Sequence, residues 1–189
     1  MLGETKITYF ERRGPENTDE TLRLARERAD ALGVRDVAVA SYTGGTGAKA
    51  SGVFKGCNLI VIGGVFGFEE PNKIGMHEKN RSIIERNGAK LLFAGHAFGM
   101  MGRAVHNKFG AIQVDEVIAH ALRLLSPGLK VGCEITCMAV DAGLIKAGSE
   151  AIAIAGSARG ADTAIVVRAS NTHTFFDTRI LEIICKPRA

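Results

Sequence analysis

Four times along this chain an apolar run passes directly into a Gly-rich stretch. Val37-Ala-Val-Ala40 leads into Ser41-Tyr-Thr-Gly-Gly-Thr-Gly47, and Leu59-Ile-Val-Ile62 into Gly63-Gly-Val-Phe-Gly67. Leu91-Leu-Phe-Ala94 leads into Gly95-His-Ala-Phe-Gly99, and Ala151-Ile-Ala-Ile-Ala155 into Gly156-Ser-Ala-Arg-Gly160. Runs this apolar belong to strands buried on both faces, as in a parallel sheet. Parallel strands would send all four loops to the carboxyl edge, where open α/β sheets bind ligands at the switch in strand order. Loops poor in side chains let a ligand approach backbone N–H groups closely. The expected ligand carries phosphate.

The rest of the chain fits one α/β domain over residues 1–189. Gly contributes 23 of 189 residues, close to twice the usual share of about 7%, and the excess lies in those loops. The net charge of +4 comes from 24 basic and 20 acidic residues. Basic and acidic residues interleave, as from Arg23 to Arg28, which describes a solvated helix face and not a nucleic-acid footprint. With no Trp and two Tyr, no stacking platform for single strands is expected. There is no signal-peptide pattern and no apolar run approaching ~18 residues, so the expectation is a cytoplasmic protein without a membrane partner. Cys57, Cys133, Cys137 and Cys185 have neither disulfide-framework nor zinc-site spacing. They read as buried thiols, and no metal site is expected.

Periodicity gives the remaining elements. Ile7–Phe10 is a first strand. A helix runs to Leu32, with Leu22, Ala25 and Ala29 on one face and Gly33 as its stop. Short helices are expected over about 48–54 and 100–107, and another over 78–86. An irregular insertion covers residues 66–76. Val114, Val117, Ile118, Ala121, Leu122 and Leu125 mark an amphipathic helix, with Pro127-Gly128 as its stop and a further helix over 134–145. Residues 163–168 follow the 151–155 strand too closely for a parallel crossover, so that pair is antiparallel. Ile180–Cys185 fits either a strand or a helix.

The Ser41–Gly47 loop is the leading phosphate candidate. It offers three hydroxyls (Ser41, Thr43, Thr46) and three glycines before a helix N-terminus, whose free N–H groups and dipole favour an anion. It lacks the Gly-Lys-Ser/Thr of a Walker loop, although Lys49 lies just downstream. The competing reading is a structural turn. Residues Gly156–Thr163 form the second candidate: Arg159 offers a fork suited to phosphate or carboxylate, and Asp162 an acceptor for a hydroxyl. The competing reading there is a surface hairpin in which Arg159 and Asp162 pair. His96, just after a strand, is the candidate acid, base or phosphate donor; a plain loop histidine fits as well. Glu69-Glu70 reads as solvated acids, and no acid–base pair stands out.

The strand–Ser-x-Thr-x-Gly-Thr–helix element resembles the effector-phosphate loop of the pyruvate kinase C-terminal domain. The later order matches too: helix, Lys146-x-Gly148, apolar strand, Gly156 loop, returning strand. The likeness covers roughly residues 17–170. With Gly156-Ser-Ala-Arg-Gly-Ala-Asp-Thr163 and Asn171-Thr-His-Thr-Phe-Phe-Asp177, the whole looks like a small family of stand-alone, largely archaeal proteins with that fold. The resemblance implies a three-layer α/β/α sandwich, mostly parallel with one antiparallel strand. It maps the phosphate onto Ser41, Thr43, Gly45 and Thr46, and implies flavin mononucleotide (FMN) as the ligand. Gly44, Gly63, Gly64, His96, Gly156, Ser157, Arg159, Gly160, Asp162 and Thr163 complete the candidate contacts. Pyruvate kinase chemistry resides in a (β/α)₈ barrel of about 250 residues, so a complete pyruvate kinase is not expected. Three roles stay open: a phosphorylated-ligand binder, a flavin-dependent oxidoreductase, and a regulatory module sensing a sugar phosphate. A homo-oligomer is possible in each.

Overall fold

The computed structural model describes residues 4–188. Seven strands form one sheet in the order β1-β7-β6-β5-β2-β3-β4. They are β1 (Thr8–Phe10), β2 (Asp36–Ala40), β3 (Asn58–Ile62), β4 (Lys90–Leu92), β5 (Glu150–Ala155), β6 (Thr163–Arg168) and β7 (Arg179–Pro187). β2, β3, β4 and β5 are mutually parallel, and β1 is parallel to β7. β6 is antiparallel to both of its neighbours, so it alone runs against the rest. Both edge strands are three residues long, which limits the unpaired backbone offered to another chain.

The period of two along the central strands divides the core. Val37 and Val39 of β2, with Val61 and Ile154, meet α1 (Thr18–Leu32), α2 (Gly45–Val53) and α3 (Glu78–Arg86) through Leu22, Ala25, Phe54 and Ile84. Ala38, Ile60, Ala153 and Ile165 point the other way. They pack on α5 (Val114–Arg123) and α6 (Pro127–Asp141) through Ala119, Leu129, Cys133 and Met138. With α4 (Met100–Phe109), the result is a mostly parallel sheet between two helical layers.

Three expectations need correction. Pro127-Gly128 starts α6 instead of stopping α5. Ser126 is its N-cap, accepting from Leu129 N at 2.9 Å, and Pro127 takes the first turn, where its missing N–H costs nothing. α2 begins at Gly45 and not near Ala48, because its first turn is made of the glycines that read as loop. The apolar stripe of α5 is only partly turned inward: Ala119 is buried, but Val114, Val117 and Ala121 are exposed. The ambiguous C-terminal segment is a strand, β7.

Candidate functional site

Strand order reverses between β2 and β5: the chain continues from β2 to β3 and β4 on one side, and β5 lies on the other. A cleft of about 800 Å³ opens at their carboxyl ends. Ser41, Tyr42, Thr43 and Thr46 line it from the β2–α2 loop, and Gly156, Ala158, Arg159 and Gly160 from the β5–β6 loop. Glu69, Gly75 and His77 close it from the 66–77 segment, and Val131 from α6.

The β2–α2 loop is held in shape by the Ser41 side chain and its own backbone. Ser41 Oγ accepts from Gly47 N at 2.9 Å, and Ala48 N donates to the Gly44 carbonyl. A helix leaves its first N–H groups without internal partners; Gly45 and Thr46 form that first turn of α2, of which Thr46 lines the cleft while Gly44 and Gly45 are not among its lining residues. Gly44 adopts a left-handed φ of 86°, and a Cβ there would come within 2.6 Å of Asn80 Cβ. Asn80 Nδ2 and His77 N both donate to the Thr43 carbonyl, so the start of α3 buttresses the loop. A Cβ on Gly45 would meet nothing within 4 Å, which leaves the first turn of α2 open to a bound group.

The opposite wall is fixed by Asp162. Its fully buried carboxylate accepts from Gly14 N (3.3 Å), Ser157 N (3.2 Å) and the Thr163 hydroxyl (2.9 Å). Thr18 Oγ1 accepts from Ala161 N. Asp162 and Thr163 are therefore buried scaffold and do not line the cleft. Arg159 does not pair with Asp162; among the described residues it has no hydrogen bond or ion pair, and it lines the cleft exposed. Ser157 Oγ is buried without a hydrogen-bond partner. Lys49 pairs with Asp19 at 2.7 Å on the exposed face of α1 and is not among the lining residues.

Gly63, Gly64 and His96 also lie outside the cleft lining. A Cβ at Gly63 would run into the Phe93 ring, and one at Gly75 into Tyr42. At Gly64 it would lie 3.0 Å from Tyr42 Cδ2 and 3.8 Å from His96 Nε2. Gly64 and Gly75 thus lie against the Tyr42 ring, and Gly64 also neighbours His96. Burial, reinforced by the Glu69 carboxylate, raises the Tyr42 phenol above its ordinary range.

Behind His96 lies a pair that residue-by-residue reading missed. Lys130 Nζ donates to Glu134 Oε2 at 2.6 Å, with side chains 8% and 6% exposed. Glu134 Oε1 accepts from Phe98 N at 3.1 Å, and the Lys130 ammonium lies 5.6 Å from the Phe98 ring. Desolvation lowers the Lys130 ammonium pKa, opposed by Glu134. Desolvation also lowers the His96 imidazole; Lys130 and Arg103 push the same way and Glu134 opposes them. The His96 ring packs 5.2 Å from Phe68, which carries the Arg103 guanidinium on its face. The His96 imidazole is therefore held toward its neutral form, in the same electrostatic cluster as the buried ion pair. The signal was there: opposite charges four apart in an otherwise apolar segment. Starting that helix at Glu134 separated them.

Cys133, Cys137 and Cys185 are buried, and desolvation pushes their thiols up to about 12, 11 and 12, as for unreactive core thiols. Among the described residues no group of three or more His, Cys, Asp or Glu could hold a metal ion. No helix among them is long and apolar enough to cross a membrane. No protein-family model matches the chain.

Proposed function

We propose that this protein binds a phosphorylated ligand of the flavin mononucleotide class in the cleft between β2 and β5. The observation that carries this reading is the convergence, at the sheet's reversal point, of an open helix N-terminus and an unpaired guanidinium. The phosphate would lie against the Gly45 and Thr46 N–H groups and the Ser41, Thr43 and Thr46 hydroxyls, with Arg159 supplying a charge-assisted bond. The donor set fits a phosphate monoester: the first-turn amides of α2, hydroxyls, one cation, and no Cβ obstruction at Gly45. The cleft also lies within the range of about 300–1,000 Å³ usual for cofactor sites. Tyr42 offers an aromatic surface on which a ring system can pack. A bound flavin would supply the electron chemistry, while the protein orients it and tunes its surroundings. The resemblance to stand-alone pyruvate kinase C-terminal-like proteins points to the same ligand.

A flavin-dependent oxidoreductase is the second reading. His96, Lys130 and Glu134 favour it, as a polar cluster whose His96 neighbours Gly64 beside the Tyr42 ring. Without turnover, the same cleft would serve a sensor of a phosphorylated metabolite.

The test begins with the visible spectrum of the freshly purified protein and mass spectrometry of what denaturation releases. FMN and riboflavin are then titrated into stripped protein and into Gly45→Asp and Thr46→Arg. FMN is expected to bind at least tenfold tighter than riboflavin, and both substitutions to abolish that preference while the far-UV spectrum is unchanged. Equal affinity for the two flavins would remove the phosphate loop from the reading. Tight binding of a sugar phosphate with none of either flavin would replace the cofactor by an effector.

A further inference from the structure

Basic residues from three separate segments meet on the carboxyl edge of the sheet, away from the cleft. β1 and β7 are parallel and end side by side, Phe10 against Pro187. Arg13 follows β1, Lys186 lies at the end of β7 with Arg188 just beyond it, and Arg123 closes α5. These four cations, with Ser126 at the start of α6, line a recess of about 130 Å³ that has no carboxylate in its lining. The Glu16 carboxylate lies against Gly14 and is not among the lining residues. The recess adjoins the Asp162 clamp: Arg13 precedes the Gly14 amide that donates to Asp162, and Ser126 Oγ is 3.5 Å from Thr163 Oγ1. Elsewhere the arginines find acids, as Arg23, Arg26, Arg28, Arg35, Arg81 and Arg168 each do. Among the described residues, the Arg123 and Arg188 side chains have neither a hydrogen bond nor an ion pair. Lys186 is positioned without a counter-charge: its ammonium donates to the Pro187 carbonyl at 2.8 Å and lies 5.4 Å from the Tyr9 ring.

We infer that this recess is a second anion site, which takes a phosphate group between Arg123, Lys186 and Arg188. Cations gathered around one concavity without an acid repel one another, and their field concentrates counter-ions there. A bound dianion relieves that repulsion. Guanidinium forks match the oxygens of a phosphate, and two of them are left unused by the fold. Size sets the ligand class. About 130 Å³ lies well below the ~300–1,000 Å³ of cofactor pockets, so the recess holds a tetrahedral anion and not a ring system. No residue lines both this recess and the cleft between β2 and β5, so the inference stands apart from the flavin reading.

Amide ¹H–¹⁵N spectra of the labelled protein, titrated with inorganic phosphate and with sodium chloride at matched ionic strength, test the inference. Phosphate is expected to shift the amides of Arg13, Gly14, Leu124, Ser126 and Arg188 along a saturating curve, with a Kd of about 1 mM or tighter. The same curve is expected in Gly45→Asp, which blocks the phosphate loop of the cleft, so the two sites are read separately. Arg123→Gln combined with Arg188→Gln should weaken it about tenfold with the far-UV spectrum unchanged. Shifts that chloride reproduces, shifts confined to residues 45–47, or a double variant that binds phosphate as the wild type does would each overturn the site. Sedimentation with phosphatidylglycerol vesicles separates the two sources of the group. Capture that the double variant loses would make it a lipid headgroup, and saturable phosphate binding without capture a free solute.

Discussion

The buried Lys130–Glu134 pair gives the sharpest energetic prediction. Both side chains are more than nine-tenths buried, 2.6 Å apart, with the second Glu134 oxygen occupied by Phe98 N. Lys130→Met keeps most of the volume and removes the cation. The carboxylate then stands in apolar surroundings with one amide for company. Breaking a buried pair from one side costs about 3–5 kcal/mol. At 2–4 °C per kcal/mol for a chain of this size, that is a fall of roughly 6–20 °C in melting temperature. Adding Glu134→Gln removes the stranded charge, and the amide oxygen still accepts from Phe98 N. The double variant should return to within ~1 kcal/mol of wild type, because well-packed neutral replacements of buried pairs are close to neutral or stabilising. The assay is urea unfolding followed by far-UV circular dichroism, the chain having no Trp for fluorescence. A single variant within ~1 kcal/mol of wild type would mean that water reaches the pair and the burial argument is wrong. A double variant as unstable as the single would assign the loss to side-chain shape and not to charge.

Other outcomes follow from the same geometry. Arg159→Ala should weaken binding of FMN about tenfold and flatten its salt dependence, since one charge-assisted contact is lost; an unchanged salt slope in isothermal titration would remove Arg159 from the site. Alkaline pH should destabilise the fold. The unfolded thiols ionise near 9 while those of Cys133, Cys137 and Cys185 hold their protons up to about 12, 11 and 12, so stability is lost as pH rises above 9. Cys185→Ala should shallow that loss relative to wild type in unfolding curves at pH 8 and 10. Acid acts through His96: its folded pKa is lowered from 6.5, so the unfolded chain takes up the proton first and stability falls as pH drops below about 6.5. His96→Gln should reduce the pH dependence of the unfolding midpoint between 6.5 and 5.5. Gly75→Ala, which drives a methyl into the Tyr42 ring, should cost ligand affinity more than stability; equal affinity would show that Tyr42 does not shape the cleft.

Central strands and the cleft's two loops were legible because their signals are local. Four apolar runs, each closed by glycines, are enough to mark buried parallel strands and a common edge, and the seven-residue gap before Thr163 forces the antiparallel turn. Roles within those loops were less legible, since they depend on neighbours far along the chain. Asp162 reads as a ligand acceptor until Gly14, 148 residues away, donates to it. Gly63 and Gly64 read as ligand approaches until Phe93 and Tyr42 fill the space beside them. Conversely, Pro127 reads as a stop because a proline resists the helix before it, yet serves equally as the first residue of the next. The outward stripe of α5 was visible as periodicity, but which face a helix buries is decided by what it meets.

The Asp162 clamp also bears on the order in which the cleft comes into being. One wall, from Ser41 to Thr46 with its support from Asn80, needs only the first half of the chain. The other needs a carboxylate near position 160 to find amides near position 14, beside an edge strand that pairs only with the last one, Thr8 against Cys185. The residues of the second wall thus leave the ribosome after those of the first, and the cleft needs both. Contacts of such long sequence separation form slowly, so the cleft is among the last features of the fold to be completed.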